Sequence, residues 1–163
     1  MSVSKKLSQF LAQQQVDFEL IHHNPSMSAM QSSIAARVPS EEVAKAVILK
    51  DHVDNFLMAV IPAGRRLHLH TVEELTDQKL RLASEHELQQ RFTDCKTGAI
   101  PAIGPAFDMS MVWDDRFLQQ QDVYLEAGDH ETLVHLSGKT FQKLASTEQH
   151  DQISMPIKEQ QPE

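Results

Sequence analysis

Residues 43 to 50, Val-Ala-Lys-Ala-Val-Ile-Leu-Lys, form an apolar run of strand length with one lysine, Lys45, near its start. A solvated lysine normally ends such a run or alternates with other polar residues. Lys45 is instead flanked by Val43, Ala44, Ala46 and Val47, which leaves two placements open. It emerges into a partly enclosed space, where it becomes the first candidate for chemistry, or it marks an outward face or edge of the strand. After a turn at Asp51-His-Val-Asp-Asn55, Phe56 to Ile61 reads as a second buried strand, so the two form an antiparallel pair closed by Pro62-Ala-Gly64.

The flanking sequence supplies the cover. Leu7, Phe10 and Leu11 at helical spacing, with Ser4 as N-cap, predict a helix to about Gln15. Val16 to Ile21 alternates as a half-buried strand should. Ser26 or Ser28 caps a second helix reaching Arg37, with Met30, Ile34 and Val38 on its inner face, and Pro39 ends it. Thr71-Val-Glu-Glu74 and Ser84-Glu-His-Glu87 both have capping-box form, predicting two short helices around the strand-like Leu80 to Leu82. Alternation from Phe107 to Trp113 predicts a strand, as do Asp122 to Glu126 and Leu133 to Leu136, before a helix capped by Ser137. Strands and helices intersperse without a βαβ repeat, so the fold class is α+β with a mixed, largely antiparallel sheet. A length of 163 residues with 40% hydrophobic content suits one domain. Residues 146 to 163 are polar and acidic and are expected to form a disordered tail beyond a domain spanning 1 to 145.

Several function classes drop out. A net charge of −8 argues against a broad nucleic-acid footprint, although Lys5-Lys6 and Arg65-Arg66 leave contact with one strand end open. Nine histidines occur, yet no His-Glu-x-x-His helix or Cys-x-x-Cys pair accompanies them, so no metal and no cofactor is expected. The single cysteine, Cys95, has no catalytic signature, and no serine sits in a Gly-x-Ser-x-Gly elbow. The N-terminus is polar and no apolar run approaches bilayer length, so a cytoplasmic protein is expected. What remains is Lys45, the shaped loop Asp94 to Pro105 with its glycines, prolines and buried-type isoleucines, and His130.

These features carry a resemblance. Val43 to Lys50, Gly98-Ala-Ile-Pro-Ala-Ile-Gly104, Tyr124-Leu-Glu-Ala-Gly-Asp-His130 and Leu133 to Gly138 occur in the order and spacing of the YbaK/ProX aminoacyl-tRNA deacylase family. That family is related to the editing domain of bacterial prolyl-tRNA synthetases. The resemblance spans about residues 1 to 145 and implies a barrel-like mixed sheet with peripheral helices. It also implies hydrolysis of mischarged aminoacyl-tRNA at the acceptor end, with prolyl-tRNA synthetase as a possible partner. Lys45 would be the catalytic lysine. Gly98, Ala99, Ile100 and Pro101 would orient the scissile carbonyl, and His130 would line the pocket. This chain departs from the family in two places: Ala102 and Pro101 stand where the loop usually reads Gly-x-x-x-Pro, and Ala46 stands where many relatives carry Thr or Asn. A pocket edged by Val43, Ala46 and Met30 would admit a small apolar side chain such as alanine, which makes Ala-tRNA(Pro) the expected substrate. The alternative is a catalytically weak module that binds a nucleotide or aminoacyl-adenosine in regulation.

Overall fold

The sheet is built outward from the Lys45 strand. In the computed structural model, which describes residues 3–157, the chain runs α1 (Lys5–Gln14), β1 (Glu19–His22), α2 (Ala29–Ala36), β2 (Val43–Lys50), β3 (Phe56–Pro62), β4 (Arg65–Leu67), α3 (Leu69–Thr76), β5 (Arg81–Leu82), α4 (Glu85–Arg91), β6 (Ser110–Asp114), β7 (Asp122–Glu126), β8 (Thr132–Ser137), α5 (Gly138–Leu144), β9 (Gln149–Asp151) and β10 (Ser154–Pro156). The main sheet has the order β1-β8-β7-β2-β3-β6-β9, with β5 also pairing to β2, and β10 pairs with β4. Pairing is antiparallel except at β2-β7, β3-β6 and β6-β9. The fold is thus α+β with a mixed, mostly antiparallel sheet and peripheral helices. No helix among the described residues is long and apolar enough to cross a membrane.

Local chemistry explains most elements. Ser4 accepts from the Leu7 amide and starts α1, which buries Leu7 and Leu11. Ser84 and Glu87 close a reciprocal capping box on α4, and Ser137 caps α5 through Thr140. β2 and β3 pair over seven rungs, from Ala44↔Pro62 to Lys50↔Phe56. Ala44, Ile48, Met58 and Val60 face the larger core, with Trp113, Leu125 and Phe141. Leu49, Leu57, Ala59 and Ile61 face a second one with Val72 and Ile153.

Four expectations require correction. The capping box at Thr71 does not form: α3 starts earlier, after His68, and the Thr71 hydroxyl is bonded to His68 Nδ1 instead. The alternating segment before His22 is an edge strand of only four residues with mostly exposed side chains, because β8 is its sole partner among the described residues. Of the expected inner stripe, Ile34 at 67% and Met30 at 41% exposed face outward, while Ala29, Ser32 and Ser33 are buried and Val38, just past the helix, packs partly buried against Ala29, Val43 and Ala63. The helix packs on β2 through its small side chains.

The fourth correction is the tail. Residues 149–156 form β9 along β6 and β10 along β4, and the Ile153 side chain is fully buried. Asp114, 1% exposed, accepts from the Ile153 amide at 3.2 Å and the Ser154 hydroxyl at 2.7 Å, and Arg65 donates to Ser154 at 2.8 Å. Polar composition concealed a closing strand, since all of β9 is exposed and Ile153 is the one fully buried side chain among the described residues of the segment. The rest of the expected tail, 158–163, lies outside the described residues. Ile153→Ala is expected to cost about 2–4 kcal/mol in denaturant unfolding; a change below about 0.5 kcal/mol, the range of ordinary surface substitutions, would mean the strand is an ornament.

Candidate active site

The site exists because two strands part. β2 and β7 run parallel for only two rungs, Val43↔Tyr124 and Ala44↔Leu125. Continuing that register would set Lys45 beside Glu126, but the pairing stops there. β5 takes up the same edge of β2 only at Leu49 and Lys50, with Ala83 donating to the Ile48 carbonyl. The interval between holds a cavity of about 160 Å³, lined by Ser28, Ala29, Lys45, Ala46, Ile48, Leu88, Gly98, Ile100 and Glu126.

Lys45 is half-buried, and its Nζ donates to the Arg65 carbonyl at 3.2 Å. An ammonium has three donors, so two remain for a ligand. Burial pushes its pKa below the usual lysine value, and no carboxylate among the described residues lies within ion-pair distance of it. The enclosed placement, not the outward one, is therefore realised.

Glu126, at the end of β7, is 1% exposed, and neither carboxylate oxygen has a hydrogen-bond partner among the described residues. Burial, reinforced by Asp129, pushes its pKa up to about 7. The nearby Ser32 hydroxyl tempers that rise, but it is engaged with Ser26 at 2.6 Å and makes no bond of proper geometry to Glu126. His130 Nδ1 stands 3.7 Å from Glu126 Oε2 and is also without a partner.

The turn between β7 and β8 holds the Gly98 loop in place. Gly128 and His130 both have positive φ, 112° and 61°, which folds the turn back on the loop. The Lys96 amide donates to the Gly128 carbonyl at 2.8 Å, and His130 Nε2 bonds to the Thr97 carbonyl. Gly98 itself has φ 84°, and an added Cβ would sit 3.0 Å from the Met27 carbonyl oxygen and 3.1 Å from His130 Cε1. Only glycine fits that approach without strain. The Ala99 amide is spent on the Lys96 carbonyl at 3.0 Å, and Pro101 has no N–H. Among the described residues the Thr97, Gly98, Ile100 and Ala102 amides find no acceptor, and of these four residues Gly98 and Ile100 line the cavity.

Of the residues singled out in sequence, the fold brings Lys45, Ala46, Gly98 and Ile100 to one cavity. Ala99 and Pro101 are buried and His130 stands behind Gly98, so these three support the wall rather than line it. Met30 does not reach the cavity, because α2 presents Ala29 instead. Glu126 was missed as a site residue although it lies inside the Tyr124 to His130 motif. An acid closing an apolar strand is the signal that could have found it.

Two other features carry no chemistry. A larger depression of about 700 Å³ is lined chiefly by exposed polar side chains such as Asp54, Gln78, Asp108, Ser110 and Thr147. It has none of the buried unpaired groups found beside Lys45. Burial and Asp94 push the Cys95 thiol up to about 12, so the protonated form dominates and it is a poor nucleophile.

The profile of the aminoacyl-tRNA editing domain family matches residues 23–144. No curated protein sequence matches the chain. Among solved structures, the hypothetical protein APE2540 superposes with a TM-score of 0.80 at 21% identity over 93% of this chain and 100% of its own. A candidate trans-editing enzyme for prolyl tRNA synthetase does so at 0.77 and 16% identity, covering 93% and 96%. A candidate signal transduction protein from Marinobacter aquaeolei VT8 matches at 0.72 and 17% identity, over 92% of this chain but 30% of that one. At these identities the likenesses establish the fold.

The Glu126 carboxyl has a folded pKa above its ordinary value, so its contribution to stability is present below about pH 4.5 and is lost as pH rises through about 7. Relative to wild type, Glu126→Gln is therefore expected to gain roughly 2–4 kcal/mol in unfolding free energy between pH 4 and pH 8. Denaturant titrations across that range check this; a difference between the two proteins that does not change with pH would contradict it.

Proposed function

The chain belongs to the aminoacyl-tRNA editing domain family, and we propose on that footing that it is a deacylase that cleaves the ester between a small amino acid and the 3′-terminal adenosine of tRNA. The observation that carries the reading is Lys45, a half-buried cation held by one carbonyl, on a residue that lines a small cavity. At about 160 Å³ the cavity is well below the size of ordinary small-molecule sites. It takes the aminoacyl group and leaves the adenosine at the mouth.

In this reading Lys45 holds the ester and stabilises the negative charge that develops as water, or a substrate hydroxyl, attacks the carbonyl. The Gly98 and Ile100 amides orient the carbonyl oxygen, and His130 keeps the loop at the right distance. An aminoacyl ester is already activated, so positioning supplies most of the catalysis and no nucleophilic triad is needed. Ala29, Ala46 and Ile48 form a shallow apolar wall that accepts alanine and excludes larger side chains by size. Ala-tRNA(Pro) is the preferred substrate on this account. Likeness over nearly the whole of both chains to the candidate trans-editing enzyme for prolyl tRNA synthetase supports action in trans on tRNA charged by that synthetase.

Hydrolysis of Ala-, Ser- and Cys-tRNA(Pro) and Ser-tRNA(Ala) by wild type and Lys45→Ala tests the proposal. Wild type is expected to clear Ala-tRNA(Pro) fastest, and Lys45→Ala to lose about 10²–10³ in kcat/KM without losing stability, because a desolvated cation has been removed. Turnover that survives in Lys45→Ala would overturn the assignment. Binding of the aminoacyl end without turnover by wild type would instead favour a regulatory module.

A further inference from the structure

Glu126 presents a chemical problem that the protein itself leaves unsolved. It is buried at the wall of the Lys45 cavity with both oxygens unpaired. Its neighbour 3.7 Å away, His130 Nδ1, is buried and unpaired as well. The Thr97 carbonyl can only accept, so the proton of the neutral His130 ring resides on Nε2 and Nδ1 is left as a bare acceptor. With Glu126 ionised, two acceptors face each other, and neither has a hydrogen-bond partner among the described residues. Among the described residues that line the cavity the one cation, Lys45, is tied to Arg65 and makes no ion pair with Glu126. Such a pair is complemented by a compact cation carrying several N–H donors, and the cavity is too small for a guanidinium on a long stem.

An aminoacyl ester carries one such group, the α-ammonium, on the carbon next to the scissile carbonyl. We propose that Glu126, with His130 Nδ1 beside it, seats the α-ammonium of the aminoacyl ester and so restricts the site to esters of amino acids with a free amino group. This rests on the deacylase reading above and assigns it a second specificity element. Lys45 fixes the orientation by repelling the ammonium: the carbonyl turns toward Lys45 and Gly98, the ammonium toward Glu126, and the side chain toward Ala29 and Ala46. The same arrangement gives the buried carboxyl a partner, since the substrate ammonium supplies the charge that favours its ionised form.

The test compares alanyl-tRNA with lactyl-tRNA, made from it by nitrous acid deamination, which replaces the ammonium with a hydroxyl at nearly constant size. Single-turnover rates are each divided by the spontaneous hydrolysis of the same ester. Wild type should favour the alanyl ester by roughly 30-fold or more, the scale of truncating one partner of a buried charge pair. Glu126→Gln should lose most of that advantage, its rate on the alanyl ester falling at least about tenfold more than its rate on the lactyl ester. Equal normalised rates on both esters in wild type would overturn the proposal while leaving the deacylase reading intact, and this comparison does not depend on the variant folding. Equal slowing of both esters in Glu126→Gln would also overturn it, assigning the carboxylate to water activation or to support of His130. Hydrolysis of neither ester by wild type would reject the deacylase reading itself, and the proposal with it.

Discussion

Everything at the site depends on the parting of β2 and β7 after Ala44 and Leu125. Had the parallel ladder run on, Lys45 and Glu126 would be neighbours on one face of a closed sheet, and their charges would neutralise each other. The small residues Ala29, Ser32 and Ser33 let α2 sit close over the opening. The turn at Gly128 to His130 pins the Gly98 loop across its end. A gap in hydrogen bonding thereby becomes a chamber with a cation on one wall and a carboxyl on another.

That chamber is electrostatically expensive. A half-buried lysine with one hydrogen bond and a fully buried carboxyl with none both oppose folding. The two cores on either face of β2 and β3 offset that cost, as does the closing strand pair around Ile153. Placing the strain on rigid strands rather than on a mobile loop holds both groups ready for a ligand, which is the arrangement expected where activity draws on stability.

Sequence periodicity made much of this legible. The β2-β3 pair and the caps at Ser4, Ser84 and Ser137 follow from local patterns, and the family from the order and spacing of several motifs along the chain. The features that escaped depend on tertiary placement. Met30 looked like an inner residue because apolar side chains usually turn inward, but α2 buries its small face against β2. The Thr71 capping box lost its serine-like role to a bond with His68. Residues 149–156 looked like tail because a single isoleucine supplies their burial. Glu126 carries no local sign of being unpaired, since that depends on what the other strands fail to offer it. The roles proposed for Lys45 and the Gly98 loop come from resemblance, and their shared cavity from the fold.

The most direct test of the account is where the end of the substrate binds. Backbone amide shifts should be followed by NMR while a stable amide analogue of 3′-alanyl-adenosine is titrated into the intact protein. The account predicts perturbations centred on Ala46, Gly98, Ile100 and Glu126, around the parted strands. Perturbations centred instead on the larger depression at Asp108, Ser110 and Thr147 would contradict it.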